Sequence, residues 1–265
     1  MMETAAIKSG FGRLYLIPTP LSKTGGNTSL PEATLEITRS IRHFAVENIR
    51  QAASFLQWIQ HPVPEFEVQF FPLSKRTSEL QLQEYVTLLL NGTDLGVLTD
   101  AGCPGVADPG ADLVKQAHRF GITVVPLTGP ASPILALMGL GLGGQKFAFE
   151  GYLPAKAEAR ATVLRALETR SAQTGSTELF METPFRNLET LKAAAGLLRM
   201  DTSLGVAANL TSPDELIVMC EVSEWQRRKM PDIHKIPAIF GLKAAQDAGL
   251  ENRLKRKAVK KKFSG

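Results

Sequence analysis

Cysteine and histidine are scarce in this chain. Its 265 residues hold two cysteines, Cys103 and Cys220. They are too few for a disulfide framework and lack metal-type spacing, as expected of a protein from a reducing compartment. The four histidines (His43, His61, His118 and His234) are scattered, with no His-x-x-His or Glu-x-x-His pairing, so no metal site is expected. No apolar run reaches the roughly 18 residues of a membrane span. Residues 1–12 lack the apolar stretch of a signal peptide. A soluble, cytoplasmic protein is therefore expected. There is no Gly-x-x-x-x-Gly-Lys frame around Lys23 to Asn27 and no Gly-x-Ser-x-Gly elbow, which argues against P-loop and hydrolase chemistry. Gly139 to Gly144 matches Gly-x-Gly-x-x-Gly in letters only. An apolar helix precedes it and a strand follows, the reverse of a dinucleotide fingerprint, so it reads as a connection.

What remains is ordinary globular composition, 44% hydrophobic and 21% charged, enough for two domains. The net charge of +4 is unevenly placed. Arg253, Lys255, Arg256, Lys257, Lys260, Lys261 and Lys262 stand against Glu251 alone, and the rest of the chain is slightly acidic. This tail reads either as a solubilising end or as an arm for RNA phosphates.

Strand and helix patterns alternate. Strands are expected at 13–17, 66–71, 95–99, 122–127, 146–149, 178–182, 204–210, 215–222 and 237–243. Helices are expected at 32–41, 47–59, 77–90, 111–120, 134–140, 156–170 and 185–199. The rhythm predicts an α/β protein with a mostly parallel N-terminal sheet. The last three strands have little helix between them, which predicts antiparallel pairing and a mixed C-terminal sheet. The expected division is 1–128, 129–245 and a basic tail at 246–265.

Residues 94–110 are the most informative stretch. A buried strand ends on Asp100 and runs into a loop of Ala101, Gly102, Cys103, Pro104, Gly105, Val106 and Ala107. Asp108-Pro109 reads as a helix start, Asp capping and Pro first. In open α/β sheets, ligands bind where strand ends meet such turns. Two further loops occupy equivalent places: Pro18-Thr19-Pro20-Leu21, and Thr128-Gly129-Pro130-Ala131-Ser132. Brought together, the three form a rim of backbone polar groups, hydroxyls and carboxylates. Asp100 and Asp108 have no lysine beside them in sequence, so the rim suits a zwitterionic, adenosine-bearing ligand better than a polyphosphate.

The run from Asp100 to Gly110 resembles the S-D-A-G-T-P-x-I-S-D-P-G signature of the 16S rRNA 2′-O-ribose methyltransferases, within the tetrapyrrole methylase superfamily. Four more segments match in order. They are Gly12 to Leu21, Val125 to Ser132 (V-P-L-P-G-P-S-A in the family), Phe149 to Pro154 (F-x-G-F-L-P) and Leu179 to Arg186 (a strand and E-S-P-H-R). The match spans about 12–245. The resemblance implies a methyltransferase that uses S-adenosylmethionine, two α/β domains with the cofactor in the cleft between them, an RNA substrate and a homodimer. It adds Met181, Glu182 and Ala208 to the cofactor-binding set.

The family's A-E-D-T-R helix appears as Ala45-Val46-Glu47-Asn48-Ile49-Arg50, keeping Glu47 and Arg50 but not the Asp and Thr. Its A-R-E-L-T strand appears as Ala207-Ala208-Asn209-Leu210-Thr211, without the Arg–Glu pair. Segment 22–31 is longer than the family's turn. A ribose hydroxyl needs a base or strong acceptor, and Glu47, Asp100 and Glu182 are the candidates. Asp100 is expected to orient the cofactor. Glu47, with Arg50 on the same helix face, is expected nearer the acceptor, or else is a surface helix carboxylate. Arg186 holds RNA backbone or is a solvated helix end. Two other activities stay open: C-methylation of a tetrapyrrole, and RNA binding on a fold that has lost its chemistry.

Overall fold

The computed structural model describes residues 10–22 and 30–246. The Lys23 to Asn27 turn and the basic tail lie outside the described residues. Two compact units meet in sequence between Ala131 and Ser132.

The first unit holds strands β1 (Leu14–Ile17), β2 (His43–Val46), β3 (Gln69–Pro72), β4 (Leu95–Leu98) and β5 (Val124–Pro126). Its helices are α1 (Glu32–Ser40), α2 (Ile49–Trp58), α3 (Glu79–Leu90) and α4 (Ala111–Arg119). The strands pair in the order β3-β2-β4-β1-β5, and every pairing is parallel. Side chains alternate across the sheet, as the two-residue period of a strand requires. Tyr15, Ile17, Phe44, Val46 and Leu98 join Leu35 of α1 and Ala52, Phe55 and Leu56 of α2 in one core. Leu14, Ala45, Leu95 and Val97 join Leu82, Val86 and Leu89 of α3 and Leu113 and Ala117 of α4 in the other. With both faces buried, β4 is apolar throughout.

The second unit holds α5 (Ser132–Leu140), β6 (Phe147–Tyr152), α6 (Ala157–Thr174), β7 (Thr177–Met181), α7 (Asn187–Leu197), β8 (Ser203–Ala208), β9 (Leu216–Glu221), the short α8 (Val222–Trp225) and β10 (Ala238–Lys243). Its sheet runs β6-β7-β10-β8-β9. Only β6–β7 is parallel; the other three pairings are antiparallel. This is the mixed sheet expected from the lack of helices between the last strands. Leu164, Phe180, Leu191, Val206, Trp225 and Phe240 centre its core. Gly139 and Leu140 close α5, and Gly141 to Gly144 form the connection that follows it, with no strand before and no helix after.

Three local expectations are corrected. The strand β2 was not expected. The helix expected from residue 47 begins at Ile49, so Glu47 precedes it and shares no helix face with Arg50. Asp108-Pro109 does not start a helix. The backbone N–H of Gly105 donates to the Pro109 carbonyl at 3.1 Å, which closes a tight loop, and α4 starts only at Ala111. Its cap is Gly110, at φ 130° and ψ −30°. That is a backbone conformation side chains disfavour, so glycine takes the place expected for Asp108.

Candidate functional site

The site forms at the C-terminal edge of the first sheet. The helix following β1 packs on one face, and the helix following β4 packs on the other. These two strands are neighbours. Their turns therefore part to opposite sides and leave a crevice between them, the switch point at which open α/β sheets bind ligands.

Thr19 and Gly102 bridge this crevice. The Thr19 N–H donates to the Gly102 carbonyl at 2.9 Å, and the Gly102 N–H returns to the Thr19 carbonyl at 3.1 Å. The Thr19 hydroxyl also donates to the Thr99 carbonyl at 3.1 Å. The turn after β5 joins from the other side. Cys103 Sγ lies 3.3 Å from the Pro130 carbonyl, and Thr34 Oγ1 donates to the Thr128 carbonyl at 2.8 Å. A Cβ at Gly129 would sit 2.2 Å from Pro18 Cγ and 2.9 Å from Leu30 Cδ2, so only glycine lets the β1 and β5 turns pack this closely. The structure thus brings together Pro18 to Leu21, Asp100 to Asp108 and Thr128 to Ala131. Ser132 begins α5 in the second unit.

Three carboxylates stand on this rim. Glu47 leaves the end of β2 and is open to solvent on one side. Desolvation of its other side raises its pKa, and the Asp100 charge raises it further; a hydrogen bond from the Asp100 backbone and the Lys75 charge oppose the rise. Asp108 is pushed up to about 6, by desolvation first and then by the Glu47 charge; Lys75 pulls it down and Asp100 pushes it up. Like charges sharing a site act in this direction. Asp100 accepts from Gln51 Nε2 at 2.9 Å. Burial, then the Asp108 charge, raises the Cys103 thiol, which leaves it a poor nucleophile.

Asn48 caps α2. Its side-chain oxygen accepts from the Arg50 N–H at 3.0 Å and the Gln51 N–H at 3.3 Å. An aspartate would accept the same two bonds, so the exchange of Asp for Asn preserves the helix start. Arg50 is exposed on the first turn of α2. Sequence reasoning missed Gln51, Lys75 and the buried hydroxyl of Thr99, which has no hydrogen-bond partner among the described residues. Thr99 and Lys75 follow β4 and β3, so the strand-end rule that found Asp100 could have found them.

In the second unit Glu182 is buried. Its Oε1 accepts from Arg186 Nη2 at 2.5 Å and from the Thr183 N–H at 2.7 Å; its Oε2 accepts from Thr190 Oγ1 at 3.3 Å. Arg160 Nη1 stands 3.9 Å from Oε2. Desolvation would raise the Glu182 pKa, but the bonds from Arg186 and Thr183 outweigh it, and the net direction is downward. Arg186 therefore ion-pairs with this buried acid through Nη2, while 31% of its side chain stays exposed. Met181 ends β7 half-buried, and Ala208 ends β8 fully buried.

The first-unit rim fits a compact ligand carrying positive charge. It offers carboxylates and small side chains that let backbone polar groups approach. Among the described residues no cluster of His, Cys, Asp and Glu is placed to hold a metal, and no helix is long and apolar enough to cross a membrane.

The fold and the sequence place this chain among the methyltransferases of the tetrapyrrole methylase fold. The methyltransferase CobJ aligns with a TM-score of 0.57 at 17% identity, over 88% of this chain and 95% of that one. The uroporphyrin-III C-methyltransferase of Thermus thermophilus aligns at 0.51 and 19% identity, over 92% and 98%. No family model matches the chain. The ribosomal RNA small subunit methyltransferase I of Vibrio cholerae is 32% identical over 217 residues, covering 82% of this chain and 71% of its own length. The proteins of the same name from Escherichia coli O157:H7 and Bacillus subtilis are 30% and 31% identical, covering 84% and 82% of this chain. The chain belongs to the ribosomal RNA small subunit methyltransferase I family.

Proposed function

We propose that this protein transfers a methyl group from S-adenosylmethionine to a ribose 2′-hydroxyl of small-subunit ribosomal RNA. The observation that carries this reading is the Thr19–Gly102 bridge across the switch point, in a chain whose relatives carry that name. Bound there, S-adenosylmethionine supplies a methyl on a sulfonium, ready for in-line displacement. Residues 18–21, 100–108 and 128–131 form the cofactor rim of the first unit. Because both Glu182 oxygens are engaged by neighbouring side chains and backbone, its contribution is to hold the Met181 to Pro184 backbone in place.

Glu47 is the base for the acceptor hydroxyl. A carboxylate whose pKa is raised is a better proton acceptor for that task. Asp100, fixed by Gln51, faces the positive charge of the cofactor, and Arg50 grips an RNA phosphate. Asn48 gives no support to a fold emptied of its chemistry, since it preserves the helix start that positions Glu47 and Arg50.

Incubating the protein with labelled S-adenosylmethionine, and separately with hypomethylated small ribosomal subunits or a porphyrinogen, tests this reading. Label on a ribose of the subunit RNA is expected. Label in the porphyrinogen, or cofactor uptake with no transfer to either, overturns it. The homodimer that the family resemblance implies is checked by light scattering, and a cytoplasmic location by fractionation.

A further inference from the structure

Phe185 exposes 70% of its surface from the turn Pro184–Arg186 that links β7 to α7. The segment 233–236 faces it from far along the chain. Lys235 Nζ lies 5.9 Å from the centre of the Phe185 ring, within cation–π range. The His234 ring meets it edge-on, at 6.3 Å and 77°.

This arrangement is held from beneath. Asn187, fully buried, donates from Nδ2 to the Ile236 carbonyl at 2.6 Å and to the Ile233 carbonyl at 3.4 Å. The Lys235 N–H donates to the Pro184 carbonyl at 3.0 Å. Lys235 sits at φ 60°, a left-handed conformation that costs a non-glycine residue energy and persists only where its surroundings impose it. The nearby acid, Asp232, accepts the His234 N–H at 3.2 Å. Arg186 is committed to Glu182.

We infer that Phe185, Lys235 and His234 form a stacking platform for one unpaired nucleotide of the RNA substrate. The base lies on the Phe185 ring and its phosphate meets the Lys235 ammonium. A flat exposed ring with an ammonium beside it matches a nucleotide, which is itself a flat ring joined to an anion. A protein partner is less well matched, because its hot spots seat side chains in desolvated pockets rather than on one solvated ring. The inference rests on the RNA reading above and narrows it to an acceptor region presented unpaired.

The test compares the full-length protein with Phe185→Ala, Phe185→Trp, Lys235→Ala and the control Phe66→Ala, which removes a ring 83% exposed in the first unit. One readout is KM and kcat on hypomethylated small subunits. The other is quenching of 2-aminopurine in a single-stranded RNA oligonucleotide. For Phe185→Ala, KM should rise roughly 5- to 150-fold, the range of ~1–3 kcal/mol per stacked base. Quenching should disappear, and cofactor affinity by calorimetry should stay unchanged. Phe185→Trp should restore both RNA readouts, and Lys235→Ala should weaken them with a smaller salt dependence. Unchanged KM and quenching in Phe185→Ala, with active wild type, overturn the platform and leave the RNA reading standing. A raised KM without loss of quenching moves the ring onto a subunit protein and overturns the nucleotide assignment. A wild type that labels no RNA overturns both.

Discussion

Gln51 Nε2 donates to Asp100 Oδ2 at 2.9 Å, linking residues 49 positions apart. The third residue of α2 thereby orients the acid at the end of β4 with a neutral amide. An amide holds a carboxylate in place without adding a charge of its own, where an arginine in the same position would bring a positive one.

Gln51→Leu should therefore weaken S-adenosylmethionine binding about 5-fold, the order of one hydrogen bond. Asp100→Ala should weaken it by at least tenfold, with thermal unfolding near that of the wild type. Titration calorimetry reads both. Affinity unchanged in Asp100→Ala would remove this acid from the cofactor rim.

Asn48 should tolerate an acid but not a methyl. Asn48→Ala loses both bonds to the first turn of α2 and should cost about 1 kcal/mol. Asn48→Asp retains the bonds and gains from the helix dipole, at the expense of a further negative charge next to Glu47. Denaturant melts of the two variants give the comparison, and equal losses would contradict the capping role.

Asp108 should make the protein gain stability on mild acidification. In the folded state its carboxyl holds a proton up to about pH 6, against 3.8 for the free group. Between those values the folded state binds more protons, so this group's contribution is fully present near pH 4 and is lost as the pH rises through 6. Asp108→Asn should therefore raise the melting temperature at pH 7.5 and leave it little changed at pH 4. A variant that melts lower at pH 7.5 would mean that the charge is needed for folding.

Arg186→Ala should destabilise the second unit by about 3 kcal/mol, because it removes the shortest ion pair of the buried Glu182. The double change Arg186→Ala/Glu182→Gln should recover part of the loss. Losses that simply add in a double-mutant cycle would mean that the pair is uncoupled.

The pattern of alternating elements and the three strand-end turns were legible in the sequence, because glycine, proline and acid punctuate long apolar runs. The strand β2 was not, because His43–Val46, though as long as β1 and β4, has no glycine or proline beside it: Ile41-Arg42 precede it and Glu47-Asn48 follow. Both its faces are covered, so it carries no polar alternation. The omission had a consequence at the site: without β2, Glu47 reads as a helix residue rather than a strand end. The capping role of Asp108-Pro109 was misread for a different reason, although the helix itself was expected from residue 111 and starts there. Asp-Pro serves tight turns as well as helix caps, and the Gly105–Pro109 bond that decides between them depends on backbone geometry no local pattern reports. The partnership of Arg186 with Glu182 is likewise tertiary, since it depends on the depth at which β7 ends.

The contact between Gly129 and the Pro18 ring also bears on how these enzymes can be altered. The turns after β1 and β5 are one interlocked piece, so sequence drift in either is tolerated only in step with the other. Transplanting the 18–21 turn alone from a relative should jam against residue 129, whereas moving 18–21 and 128–131 as a set should yield a working chimera.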